Sequence, residues 1–114
     1  MKVAIIDYGA GNTQSVKYAL KRLGCEGVLT SDKEVISNSD KVIFPGVGQA
    51  SSAMKKLKSK SLDVLIPNLK QPVLGICLGM QLMCNFSEEG DVDCLRIFDS
   101  NVKRFNNLLK VPQI

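Results

Sequence analysis

The sequence predicts an α/β fold: a doubly wound, mostly parallel sheet with helices on both faces. Three observations predict it. Short β-branched runs alternate with segments of helical spacing along most of the chain. The runs are almost continuously apolar, as strands buried on both faces of a parallel sheet require. Three unusual segments, at residues 7–12, 45–48 and 77–81, fall at strand ends. Open parallel sheets bind ligands there, beyond the carboxyl ends of the strands.

Lys2 to Asp7 opens the alternation as a strand, and Tyr8-Gly-Ala-Gly-Asn12 follows as a Gly-rich turn. From Thr13, the residues Val16, Ala19, Leu20 and Leu23 recur at helical spacing, and Gly24 suits the C-terminal cap. Gly27 to Thr30 is a second strand. Ser31 or Asp32 can cap a brief helix through Ile36. Lys41 to Phe44 is a third strand, stopped by Pro45-Gly-Val-Gly48. Helices are predicted from Ala50 to Leu57 and from Leu62 to Leu69, with Pro67 awkward near the end of the second. Pro72 to Ile76 is a fourth strand that turns at Cys77 into a helix through about Asn85. Beyond it, Leu95 to Phe98 and Val102 to Phe105 read as extended segments about an Asp99-Ser-Asn turn. Four strands alone would leave the fourth as an edge, with Val73, Leu74 and Ile76 beside unpaired backbone.

Composition narrows the chemistry. The 114 residues are 45% hydrophobic and 23% charged, which suits a globular domain or part of one and excludes disorder. No apolar run approaches the ~20 residues of a membrane helix. The N-terminus, with one early Lys and a short apolar stretch, does not read as a signal peptide. The net charge is +4, much of it in Lys55, Lys56, Lys58 and Lys60. No aromatic interleaves that run, so a solvated helix face is expected rather than a nucleic-acid platform. Glu88, Glu89, Asp91 and Asp93 read as a surface loop without the pattern of a calcium site. The four cysteines contain no Cys-x-x-Cys pair, and there is no His at all. No metal or cofactor is therefore expected, and free thiols in the cytoplasm are. The missing imidazole also means that no Cys–His pair can be completed within these residues.

Gly75-Ile-Cys77-Leu-Gly79 has the form Gly-x-nucleophile-x-Gly. In such an elbow a strand meets a helix at a sharp turn, and small residues on either side let neighbouring backbone pass. The nucleophile is then exposed above the sheet, where a helix N-terminus favours thiolate. A buried Cys packing as a small hydrophobe is the alternative reading. Pro45-Gly-Val-Gly48 can present backbone N–H groups as an oxyanion hole does, or it can be a plain strand-ending turn.

Together, Phe44-Pro-Gly-Val-Gly48 and Gly75-Ile-Cys-Leu-Gly-Met-Gln81 resemble the class I (triad) glutamine amidotransferases, whose domain is flavodoxin-like. Ile6-Asp-Tyr-Gly-Ala-Gly-Asn12 and Lys110-Val-Pro narrow the resemblance to the glutaminase subunit of imidazole glycerol phosphate synthase. The resemblance implies that Cys77 attacks the side-chain amide of glutamine. Gly46, Val47 and the Leu78 N–H would form the oxyanion hole, and Gln81 and Gly48 would help hold the substrate. Tyr8, Gly9, Gly11 and Asn12 would face a cyclase subunit of barrel fold, which receives the ammonia. Members of that family are nearly twice as long, and their catalytic His and Glu lie in the C-terminal portion. Residues 1–114 are thus expected to be the N-terminal part of one amidotransferase domain, inactive alone, with its C-terminal part missing. Cys25, Cys84 and Cys94 are expected to be structural. Gln113 stands where the family typically has His, which leaves open a paralogous subunit serving another synthase. A non-catalytic docking module is the second alternative.

Overall fold

The structure is a computed structural model that describes residues 1–10 and 13–103. Four parallel strands form the main sheet: β1 (Val3–Ile6), β2 (Gly27–Thr30), β3 (Lys41–Phe44) and β4 (Val73–Gly75), in the order β2-β1-β3-β4. Val3 pairs with both Gly27 and Lys41, and Ile43 pairs with Leu74. Among the described residues there are five α-helices, α1 (Thr13–Arg22), α2 (Lys33–Ser37), α3 (Ala50–Ser59), α4 (Leu62–Leu65) and, after β4, α5 (Leu78–Leu82). This is the predicted parallel α/β arrangement.

Alternation along the strands splits the apolar side chains between two faces. Ala4, Ile6, Val42 and Phe44 pack with Ile36 of α2 and Ala53, Met54 and Leu57 of α3. Leu62 of α4 and Leu78 and Leu82 of α5 complete that core. Val3, Ile5 and Ile43 face the other way, against Val16 and Leu20 of α1. Helices therefore cover both faces, unequally. Gly27 lets α1 approach, because a Cβ there would lie 2.7 Å from a Leu20 methyl and 2.9 Å from an Ile5 methyl.

The helix ends follow from local chemistry. The Asp32 carboxylate accepts from the Glu34 and Val35 N–H groups at 2.9 and 3.4 Å, so Asp32 caps α2. After α1, the Gly24 N–H donates to the Lys21 carbonyl and the Cys25 N–H to the Leu20 carbonyl, with Gly24 at φ +78°. That pairing closes the helix as a Schellman motif. Pro67 ends α4 early: the helix stops at Leu65 and gives way to a 3-10 turn at Ile66–Asn68, not the continuous helix predicted to Leu69. Among the described residues β4 is an edge of the main sheet, with Leu74 59% exposed and Val73 and Ile76 half-buried.

Residues 83–103 differ from expectation. α5 stops at Leu82, not near Asn85. Short strands β5 (Phe86–Ser87), β6 (Val92–Asp93) and β7 (Asn101–Val102) form a separate small sheet in the order β6-β5-β7. Leu95 to Phe98 is not a strand. Its N–H groups donate to the carbonyls of Leu82, Met83 and Cys84, the groups a helix C-terminus leaves without partners. The segment wraps the end of α5 instead of pairing in a sheet. Residues 88–91 form the turn between β5 and β6, near the surface as predicted, whereas Asp93, read as part of the same loop, is exposed but stands in β6. The rest of the Val102–Phe105 segment, Lys110-Val-Pro and Gln113 lie outside the described residues.

Candidate active site

β4 delivers the chain to Cys77 at the carboxyl edge of the sheet. Cys77 has φ +54° and ψ −120°, a conformation that L-residues rarely adopt. The turn leaves Cys77 exposed while Leu78 and Gly79 are buried. The buried-thiol alternative therefore fails for Cys77. The flanking glycines are used as the elbow mechanism demands. A Cβ on Gly75 would sit 2.8 Å from the Met80 Cα, and one on Gly79 would overlap the Phe44 carbonyl. α5 can thus begin directly against the end of β3.

That approach brings the second glycine-rich segment to the elbow. Pro45 and Gly46 are buried, whereas Val47 and Gly48 are exposed, the latter at φ +100°. A Cβ on Gly46 would meet the Gly79 nitrogen at 2.9 Å and the Leu78 Cβ at 3.1 Å. The Ile76 N–H donates to the Phe44 carbonyl at 3.0 Å. The Leu78 N–H donates to the Gly46 carbonyl at 3.1 Å. One donor expected to receive an oxyanion, the Leu78 N–H, is therefore occupied by the Gly46 carbonyl in this conformation.

Gln81 lies on α5, one turn beyond Cys77. Its side-chain oxygen is buried and has no hydrogen-bond partner among the described residues. An unpaired buried acceptor costs roughly 1–3 kcal/mol, and a donor arriving at the site would remove that cost.

The Gly-rich turn after β1 sits beside these segments. Gly9 is exposed at φ +84°. Tyr8, expected among the partner-facing residues, turns its ring inward instead and is 1% exposed. Its hydroxyl donates to the Pro45 carbonyl at 2.8 Å. A tyrosine beside a Gly-rich turn reads equally well as surface or core, because its ring is apolar and its hydroxyl needs only one partner. Lys56, read as part of a solvated helix face, is exposed yet donates from Nζ to the Gly9 carbonyl at 2.9 Å. Gly11 and Asn12 lie outside the described residues.

The other thiols sit apart from this chemistry. Cys25 and Cys84 are half-buried, and Cys94 is buried. Burial pushes the Cys94 thiol pKa up, and the nearby Cys84 and Asp93 add to the effect. No helix among the described residues is long and apolar enough to cross a membrane.

Comparison with known proteins accords with this geometry. The subunit HisH of imidazole glycerol phosphate synthase from Bacteroides thetaiotaomicron is 67% identical over 113 residues, covering 99% of this chain and 55% of that protein. The Haemophilus influenzae (strain Rd) subunit of the same name is 47% identical over 115 residues, covering 100% of this chain and 58% of that one. The chain thus spans about half the length of the curated relatives it matches. A solved structure described as a glutamine amidotransferase superposes with a TM-score of 0.73 at 20% identity, over 87% of this chain and 54% of that one. That likeness shows the fold. The family model described as glutamine amidotransferase class-I matches residues 4–107, a stretch that holds the Cys77 elbow and the glycine segment packed on it, and the chain belongs to that family.

Proposed function

We propose that residues 1–114 are the N-terminal part of a single amidotransferase domain in a glutaminase subunit that hydrolyses glutamine to glutamate and ammonia. The observation that carries this reading is the exposed Cys77 at a strained elbow against which Gly46 packs. The relatives named HisH favour imidazole glycerol phosphate synthase, hence histidine biosynthesis, as the setting.

In this reading the Cys77 sulfur attacks the side-chain amide carbon of glutamine. The carbon–nitrogen bond then breaks, ammonia leaves with an added proton, and a glutamyl thioester remains. Water cleaves the thioester to glutamate and restores the thiol. Gly46, Val47 and the Leu78 N–H stabilise the oxyanion once the Gly46 carbonyl has swung off the Leu78 N–H. Gln81 and Gly48 hold the substrate, and the unpartnered Gln81 oxygen supports that role by its need for a donor. The sequence has no His, so the base that takes the Cys77 proton lies outside these residues. Ammonia passes to a cyclase subunit of barrel fold in a heterodimer, and the step catalysed there is of the lyase class. The turn at Gly9, Gly11 and Asn12 faces that subunit, with Tyr8 as its inner anchor. The free thiols favour the cytoplasm as the compartment. No cofactor is required.

Ammonia release from glutamine, assayed on the longest native form of the chain with and without its synthase subunit, tests the proposal. Glutamine-dependent ammonia that disappears in Cys77→Ser is expected. No ammonia in either condition would refute it. A docking module is the second reading, favoured by the occupied Leu78 N–H. It requires Cys77→Ser to leave glutamine-dependent growth intact.

A further inference from the structure

Tyr8 joins two segments that the proposed reaction uses separately. Its backbone opens the Gly-rich turn, while its side chain leaves that turn for the core. The ring packs on Phe44, with centroids 5.5 Å apart and planes tilted by 51°. The hydroxyl donates to the Pro45 carbonyl at 2.8 Å. A Cβ on Gly46 would meet the same hydroxyl at 2.5 Å. The phenol therefore lies directly against the peptide that leads into the oxyanion segment. Burial holds its pKa well above the ordinary tyrosine value, so it remains a neutral donor at physiological pH.

The arrangement of peptide planes gives this hydrogen bond a specific effect. The Gly46 carbonyl accepts from the Leu78 N–H. To release that N–H, the Gly46–Val47 peptide must rotate. The Pro45 carbonyl belongs to the preceding peptide plane. While Tyr8 holds it, rotation is confined to one peptide, and the backbone donors arrive at one position. Without the hydroxyl, the Pro45–Gly46 peptide shares the motion and the donors spread over several positions.

We infer that Tyr8 is a positioning residue for glutamine hydrolysis, its hydroxyl fixing the Pro45–Gly46 peptide as the pivot on which the oxyanion-binding backbone turns. The inference rests on the glutaminase reading above. Backbone donors act on the charge that develops in the transition state and depend on close placement. Binding of intact glutamine depends on other groups. The loss should therefore fall on kcat rather than KM.

Tyr8→Phe removes only the hydroxyl and keeps the ring on Phe44. It is compared with wild type in the longest native form of the chain, assembled with its synthase subunit. Rates are normalised to the amount of Cys77 that iodoacetamide alkylates, so misfolded molecules do not count. The expected result is a fall in kcat of about tenfold, with KM for glutamine within about twofold. The rate of Cys77 alkylation should match wild type. Lys56→Met, which loosens the turn from its other side, should leave kcat within about twofold. An unchanged kcat in Tyr8→Phe overturns the inference, as does a raised KM with kcat intact. An equal kcat loss in Lys56→Met also overturns it, because the effect would then belong to the turn and not to the phenol. Absence of activity in wild type would overturn the glutaminase reading itself, and this inference with it.

Discussion

Gly79 enters α5 two residues after the nucleophile, and the end of β3 passes directly over it. A Cβ at this position would lie far inside the van der Waals contact distance of the Phe44 carbonyl oxygen and 2.7 Å from the Phe44 carbonyl carbon. Both atoms are backbone, so no side chain can rotate away. Relief requires α5 and β3 to separate by about 1 Å or more. Separation strains the Leu78–Gly46 and Ile76–Phe44 hydrogen bonds, 3.1 and 3.0 Å long, at about 1 kcal/mol each. Overpacking adds about 1–3 kcal/mol. Alanine's better helix propensity returns about 1 kcal/mol. Gly79→Ala is therefore expected to destabilise the fold by about 3 kcal/mol, measured by urea unfolding of the longest native form. Gly24→Ala is the comparison: Gly24 has φ +78° and nothing within 4 Å of a built Cβ. It should cost only about 1 kcal/mol, from backbone strain alone. A loss below about 1 kcal/mol for Gly79→Ala, or a larger loss at Gly24, would refute the steric argument.

Three further predictions rest on single residues. Cys77 is the exposed thiol and Cys94 the buried one, so limited alkylation followed by peptide mass mapping should modify Cys77 first and Cys94 last; earlier labelling of Cys94 would contradict the packing. The Cys94 thiol has a raised folded-state pKa, so above the ordinary thiol range the native state keeps a proton that the unfolded chain has lost. Its contribution to stability is therefore full below about pH 8.5 and declines as pH rises past it, and Cys94→Ala should flatten that part of the unfolding free energy against pH. Ser61 follows the last turn of α3 at φ +56° and is exposed, so Ser61→Gly should stabilise by about 0.5–1 kcal/mol in thermal unfolding; a destabilisation would mean that the serine side chain contributes more than its backbone strain costs.

The main sheet was legible because its signals are redundant. Val3 to Ile6 and Lys41 to Phe44 are β-branched or aromatic over most of their length, and each is followed by glycine within a few residues. The elbow was legible for a related reason: only small residues fit at Gly75 and Gly79, so the steric demand is written in the sequence. The small sheet was not legible. Strands of two residues, such as Phe86–Ser87 and Val92–Asp93, are too short to show a period. Leu95 to Phe98 misled because its apolar residues suggest a strand, while its backbone is recruited by the open end of α5. The Leu78–Gly46 hydrogen bond was hidden for another reason. Glycine places little restriction on its own backbone angles, so the sequence did not specify where the Gly46 carbonyl would point.

The inner position of β1 sets an order of events during synthesis. β1 is the first of the described strands to be made, yet its partners come from Gly27–Thr30 and Lys41–Ile43. At about 5–20 residues per second, the ribosome needs about 1–5 s to supply β2 after β1. Over that interval Val3 to Ile6 have no strand beside them, although all four end up buried. β3 then closes the other side, and the three strands made first become a contiguous sheet. β4 can only add at the margin, after α3 and α4 have been translated. The reactive elbow hangs from that last strand. The nucleophile is thus carried by a strand paired on one side alone among the described residues, beside a centre whose strands β1 and β3 are paired on both.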